Sequence, residues 1–125
     1  NGAIITLFLW NLHRTRVINR NASNDTTITT RGDTIVNGIN YISSWGQTRF
    51  SQNYYTSVTT PIFQDVSGST YYNPLSGVKS VQGISEPLVI TYGVDQSGTP
   101  VVSNPFGYKM MWTNTNGAQN SVISY

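Results

Sequence analysis

Thr34-Ile35-Val36-Asn37-Gly38-Ile39-Asn40-Tyr41-Ile42 reads as two short runs rich in β-branched residues, joined by Asn-Gly. That dipeptide accepts the positive φ required at both central positions of a type I′ turn. The stretch therefore predicts an antiparallel hairpin and sets the class of fold for the residues downstream of it.

Beyond the hairpin the same grammar repeats. Ser43 to Gly46 reads as a turn, and Gln47–Tyr55 and Ser57–Phe63 as strands. Pro61 lies inside the second of these, so that strand is expected at an edge or with its pairing cut short. Gln64 to Ser69, then Asn73-Pro74 with Ser76-Gly77, are turn chemistry around Tyr71-Tyr72. Val78–Ile84 alternates weakly, with Val78 and Ile84 on a different face from Val81. Leu88–Val94 is the best central strand, and Asp95-Gln96-Ser97-Gly98 turns it into Thr99–Val102. Asn104-Pro105-Phe106-Gly107 precedes a strand at Tyr108–Thr113, and Asn114 to Gly117 leads into Ala118–Tyr125. No stretch carries helical periodicity with caps. Roughly nine short strands at this spacing imply an all-β fold, a single antiparallel β-sandwich, with jelly-roll and Ig-like topologies both open.

Upstream of the hairpin the chain changes character. Ala3-Ile4-Ile5-Thr6-Leu7-Phe8-Leu9-Trp10, read with a period of two, puts Ile4, Thr6, Phe8 and Trp10 on one face and Ile5, Leu7 and Leu9 on the other. A strand in a small antiparallel sheet normally keeps one wet face. One that is apolar on both needs two covers, from its own chain or from a neighbour. Residues 1–20 are thus expected to form an apolar and basic extension strand, residues 21–33 a polar connector, and residues 34–125 the sandwich body. At about 3.3 Å per residue, an extended connector of this kind can carry the first strand into another subunit.

Composition narrows the function. The chain has 125 residues, no Cys, a net charge of +2 and only 10% charged residues, so one modest core must hold without disulfides or thiolate metal sites. Ser, Thr and Asn supply about a third of the chain, a surface chemistry suited to an extracellular, cell-surface or virion location. Fifteen aromatics spread between turn signals exclude a disordered chain. The apolar run is about half of what a membrane-spanning helix needs, so no membrane span is expected. The lack of an initiator Met points to a removed leader or to a fragment. Catalysis has little material: His13 is the only His, Glu86 the only Glu, and Asp25, Asp33, Asp65 and Asp95 are scattered among turns. A nucleophile–base set or a carboxylate pair is not suggested by any local spacing. Neither an enzyme, a cofactor nor a metal site is expected.

Several short features carry a functional reading beside a plainer one. Arg14, Arg16 and Arg20 form a basic arm without acids, open to an anionic partner; a solvated strand face is the simpler account. Nucleic acid is not expected as a partner outside a virion. Arg31-Gly32-Asp33 spells an integrin-read tripeptide, although a turn-capping Asp explains it more cheaply. Asn21-Ala22-Ser23 and Asn24-Asp25-Thr26 fit the glycosylation pattern and make Asn21 and Asn24 candidate sugar acceptors. In the adjacent pairs Tyr54-Tyr55 and Tyr71-Tyr72, one member of each must face away from the core. With Gln52, Asn53 and Asn73 nearby, outward tyrosines suit a subunit interface, and secondarily a surface glycan.

The apolar N-terminal strand, polar connector and β body together resemble donor-strand filaments of microbial surfaces, including chaperone-usher pili and some archaeal pili. The likeness is architectural and carries no shared motif. The chain lacks the disulfide of chaperone-usher subunits and is apolar on both faces of its extension; it also lacks the long N-terminal helix of type IV pilins. The resemblance implies a subunit that polymerises with itself, Ile4, Ile5, Leu7, Phe8, Leu9 and Trp10 entering the next copy. Two alternatives remain, a jelly-roll capsid or virion-surface protein and a carbohydrate-binding adhesin module.

Overall fold

Ten strands run through the residues that the computed structural model describes, which are 10–48, 50–67, 73–83 and 87–125, with Trp10 described in its backbone alone. They are β1 (Trp10–Leu12), β2 (Arg14–Arg20), β3 (Thr26–Gly32), β4 (Thr34–Val36), β5 (Ile39–Gln47), β6 (Asn53–Asp65), β7 (Ser76–Gln82), β8 (Leu88–Val94), β9 (Gly107–Asn114) and β10 (Gly117–Ser124). No helix occurs among the described residues, and every strand pairing is antiparallel. The fold is all-β and sandwich-like, as the turn spacing implies.

The hairpin at 34–42 forms as expected. Asn37 (φ 49°) and Gly38 (φ 78°) take the two left-handed positions, and Thr34 and Val36 face Ile42 and Ile39 across the turn. The Asp95 turn also closes as read: its Oδ1 accepts from the Ser97 amide at 2.8 Å and the Thr99 amide at 3.0 Å. From β5 onward each strand pairs with the next in sequence, so β5 to β10 make a meander without crossovers.

The sheet forks at β6. Residues 53–57 of this thirteen-residue strand pair with β5, while residues 62–65 pair with β3 along the same edge. Pro61 sits between the two partners, where its missing N–H costs no ladder bond, and the register with β7 also shifts there. The expectation that Pro61 puts its strand at an edge or cuts its pairing short is overturned: β6 lies between β7 on one side and β5 and β3 on the other, and it pairs on beyond Pro61 as far as Asp65. The branches meet where Gly32 lies against the Tyr41 carbonyl; a Cβ built on Gly32 would stand 1.8 Å from that oxygen.

Several expectations need correction. Ser43 to Gly46 is no turn but the middle of β5: the side chains of Ser43 and Ser44 are buried, and Trp45 and Gly46 pair on both sides, with β1 and β6. The turn lies beyond, inside the strand expected at Gln47–Tyr55, where the Thr48 and Ser51 amides donate to the Gln52 and Thr48 carbonyls; the rest of that stretch and the strand expected at Ser57–Phe63 are one strand, β6. Thr99–Val102 forms an isolated bridge, Val94 to Pro100, and no strand. Residues 21–33 are not a loose connector, because Thr26-Thr27-Ile28-Thr29-Thr30 is a run of β-branched side chains that favours extended backbone whatever its polarity. It forms β3, paired with β2 on one side and β6 on the other. Consequently the sheet does not begin at residue 34: β1 and β2 belong to it, with Trp10, Asn11 and Leu12 opposite Gly46, Trp45 and Ser44 of the same chain.

Hydrophobic burial is sparse. Among the described residues, Ile42, Val58 and Val94 are the buried hydrophobics, whereas Thr30, Ser43, Ser44, Thr56, Ser57 and Ser80 are buried polar residues. Small hydroxylated side chains let the backbones at the fork approach closely, and two of them find carbonyls: Ser57 Oγ donates to Asn40 O at 2.8 Å, and Ser43 Oγ to Thr56 O at 3.3 Å.

Candidate functional site

Residues opposite each other in an antiparallel ladder share a face, so the register assigns every strand side chain to one side of the sheet. On one side, β8 and β9 contribute Leu88, Ile90 and Tyr92 opposite Trp112, Met110 and Tyr108, continued by Val81 of β7 and Ile123 of β10. All eight are half-buried. Tyr92, Tyr108 and Tyr125 form a ring cluster with centroids 5.9 and 6.1 Å apart. The Tyr125 hydroxyl clasps the cluster to the chain, donating to the Pro74 carbonyl and accepting from the Gly93 amide at 3.2 Å. Burial pushes the Tyr92 and Tyr125 phenols above their ordinary value. Lys79 lies on the same side, opposite Val58 and Ile90, where desolvation and then the Arg14 charge lower its pKa.

Beside this apolar field runs a free edge. β10 pairs with β9 over eight consecutive residues without a register shift and has no partner on its other side among the described residues. Natural edges are guarded by charges, prolines or bulges. Gly117-Ala118-Gln119-Asn120-Ser121-Val122-Ile123-Ser124 has none of these. The opposite edge differs: among the described residues β2 pairs with β3 alone, and it carries Arg14, Arg16 and Arg20 on one face, all exposed. The ion pair among the described residues is His13–Asp33, which leaves those arginines outside any salt bridge there.

The other sequence candidates are dispersed. Ile4, Ile5, Leu7, Phe8 and Leu9 lie outside the described residues, as do Tyr71 and Tyr72, and of Trp10 only the backbone is placed, opposite Gly46. Asn21 and Asn24 sit in the exposed β2–β3 turn. Asn21 is built into that turn: its Oδ1 accepts from the Ser23 and Asp25 amides, both at 2.9 Å, and its Nδ2 donates to Asp25 at 2.8 Å. Arg31-Gly32-Asp33 forms the end of β3 and the β3–β4 junction. The Asp33 carboxylate there accepts from Thr15, bonds His13 Nδ1 at 2.7 Å and accepts from Thr34 at 3.3 Å. These bonds, Thr15's first and His13's next, hold its pKa below the ordinary 3.8, and they occupy the carboxylate that an integrin would have to read.

Sequence reasoning missed the β10 edge, since unpaired strands leave no mark in composition; the absence of Lys, Pro and Glu from 117–124 was the available hint. No family model, curated protein or solved structure matches this chain. Among the described residues no group of three His, Cys, Asp or Glu could hold a metal, and no helix is long and apolar enough to cross a membrane.

Proposed function

We propose that this protein is a structural subunit that assembles with copies of itself by strand addition, the apolar segment Ile4–Leu9 of one copy lying along β10 of the next in an extracellular filament. The observation that carries the reading is the β10 edge: eight residues, regular, uncharged and without a second partner strand among the described residues, bordered by half-buried aliphatic and aromatic rows. An added strand gains backbone hydrogen bonds from the edge. Ile4, Ile5, Leu7, Phe8 and Leu9 add on the order of 10 kcal/mol of burial before ordering costs, at about 1.5–3 kcal/mol each. Trp10, Asn11 and Leu12 pair with β5 of their own chain, so the exchanged segment in this reading excludes them. The role is scaffolding, with no catalytic step.

Electron microscopy and sedimentation of the full chain and of a variant lacking residues 1–9 test this reading. The full chain should form fibres, and the shortened one should stay monomeric with an unchanged β-sheet circular dichroism spectrum and be capped by a peptide of residues 1–10. Equal assembly by both proteins contradicts the proposal. A virion capsid or surface role is the second reading, favoured by the three arginines on one face of β2 that no salt bridge engages among the described residues. It calls for closed shells in place of fibres, and for binding to single-stranded nucleic acid that weakens steeply with salt.

A further inference from the structure

On the face opposite the tyrosine cluster, four strands line up one row of side chains: Asn11 of β1, Trp45 of β5, Tyr55 of β6 and Gln82 of β7 stand directly across from one another. A second row, Gln47 and Asn53, lies one step along on the same face, with Gln47 Nε2 donating to Asn53 Oδ1 at 3.2 Å. From the tip of the β4–β5 hairpin, Asn37 Nδ2 donates to the Tyr55 hydroxyl at 2.8 Å and fixes that ring. Between these groups opens a cleft of about 240 Å³.

We infer that this cleft is a binding site for an uncharged saccharide. The chemistry of the lining selects that class. The eight described residues that line the cleft include no Asp, Glu, Lys, Arg or His, so none of them would pair with a uronate, a sialate or a phosphate. The ring pairs among the described residues lie on the other face; the Trp45 indole and Tyr55 phenol are not stacked on each other. A pyranose presents an apolar C–H face that packs on such rings and a rim of hydroxyls that both donate and accept. Amides are the side chains that answer both demands, and Asn11, Gln47 and Asn53 ring the aromatic pair, all exposed. An aliphatic peptide side chain would cover the rings but offer no hydrogen bond to the remaining donors and acceptors of those amides. The volume falls below that of pockets for drug-sized ligands, which sets the site at about one sugar ring with its neighbours in a chain running out over Gln82.

The site is separate from the β10 edge, so its test is independent of assembly. The protein is titrated with glucose, galactose, mannose and N-acetylglucosamine, with their homo-oligosaccharides and with sialyllactose, while tryptophan emission and calorimetric heat are recorded. The expected result is saturable binding of a neutral oligosaccharide with Kd of about 1 mM, at least tenfold weaker in Trp45→Ala and several-fold weaker in Asn37→Ala, with no preference for the sialylated sugar. The paired rim variant Gln47→Ala/Asn53→Ala, whose side chains are exposed, should weaken binding likewise and serves if Trp45→Ala does not fold. No saturation by about 20 mM sugar, a preference for the anionic sugar, or binding unchanged in the rim variant overturns the inference.

Discussion

At the scale of single residues, two positions do more than their composition suggests. Gly32 has no room for a side chain, because the Tyr41 carbonyl of the other branch occupies the place of its Cβ. Gly32→Ala should therefore destabilise the fold by about 3 kcal/mol, the upper end of ordinary single substitutions, read as a lower urea midpoint at constant m-value. Next to it, Asp33 is held ionised by Thr15 and His13. A carboxyl whose folded pKa lies below its unfolded one contributes stability that is present above the unfolded value and lost as pH falls toward the folded one. Asp65, held down mainly by Ser67, and Asp95, held down by Ser97 and then Thr99, shift in the same direction. Melting temperature should thus fall as pH drops below the ordinary carboxyl value of 3.8. The gap between the wild type and Asp33→Asn should narrow over that range, as differential scanning calorimetry from pH 6 to about pH 2 would record. A gap that widens toward acid would refute the assignment.

At the scale of elements, the contrast is between two edges of one sheet. β2 presents arginines to solvent, a device that discourages further pairing, whereas β10 presents uncharged, regular backbone. If β10 receives a strand, a single charge on it should block assembly without touching the fold. Ser121→Lys, at an exposed position opposite Met110, should raise the concentration needed for light scattering at least tenfold. Its circular dichroism and melting temperature in dilute solution should match the wild type. Scattering at the wild-type concentration would rule out β10 as the acceptor.

At the scale of the whole molecule, the deciding fact is how little of the described part is dry. Among the described residues, Ile42, Val58 and Val94 are the buried hydrophobic side chains, while Leu12, Ile18, Ile35 and Met111 stand exposed. Covering half-buried rows by association links stability to concentration. Over a hundredfold rise in protein concentration the apparent Tm should climb by about 5 °C, the equivalent of roughly one to two kcal/mol. A Tm independent of concentration would mean that the monomer is complete.

The sequence by itself determined the class of fold and most of its punctuation. Asn37-Gly38, the Asp95 turn and Leu88–Val94 are local signals, and local backbone preference is enough to place them. Tertiary structure decided what depends on distant partners. Ser43–Gly46 looks like a turn until β1 and β6 flank it, and Thr26–Thr30 looks like a linker until β2 and β6 pair with it. Asn11, Trp45, Tyr55 and Gln82 lie far apart in the chain, and only the register of four strands makes them one row. Hydrogen-bond partners across a sheet are fixed by the fold of the whole chain, so neither a free edge nor a shared face can be read from any one stretch of residues.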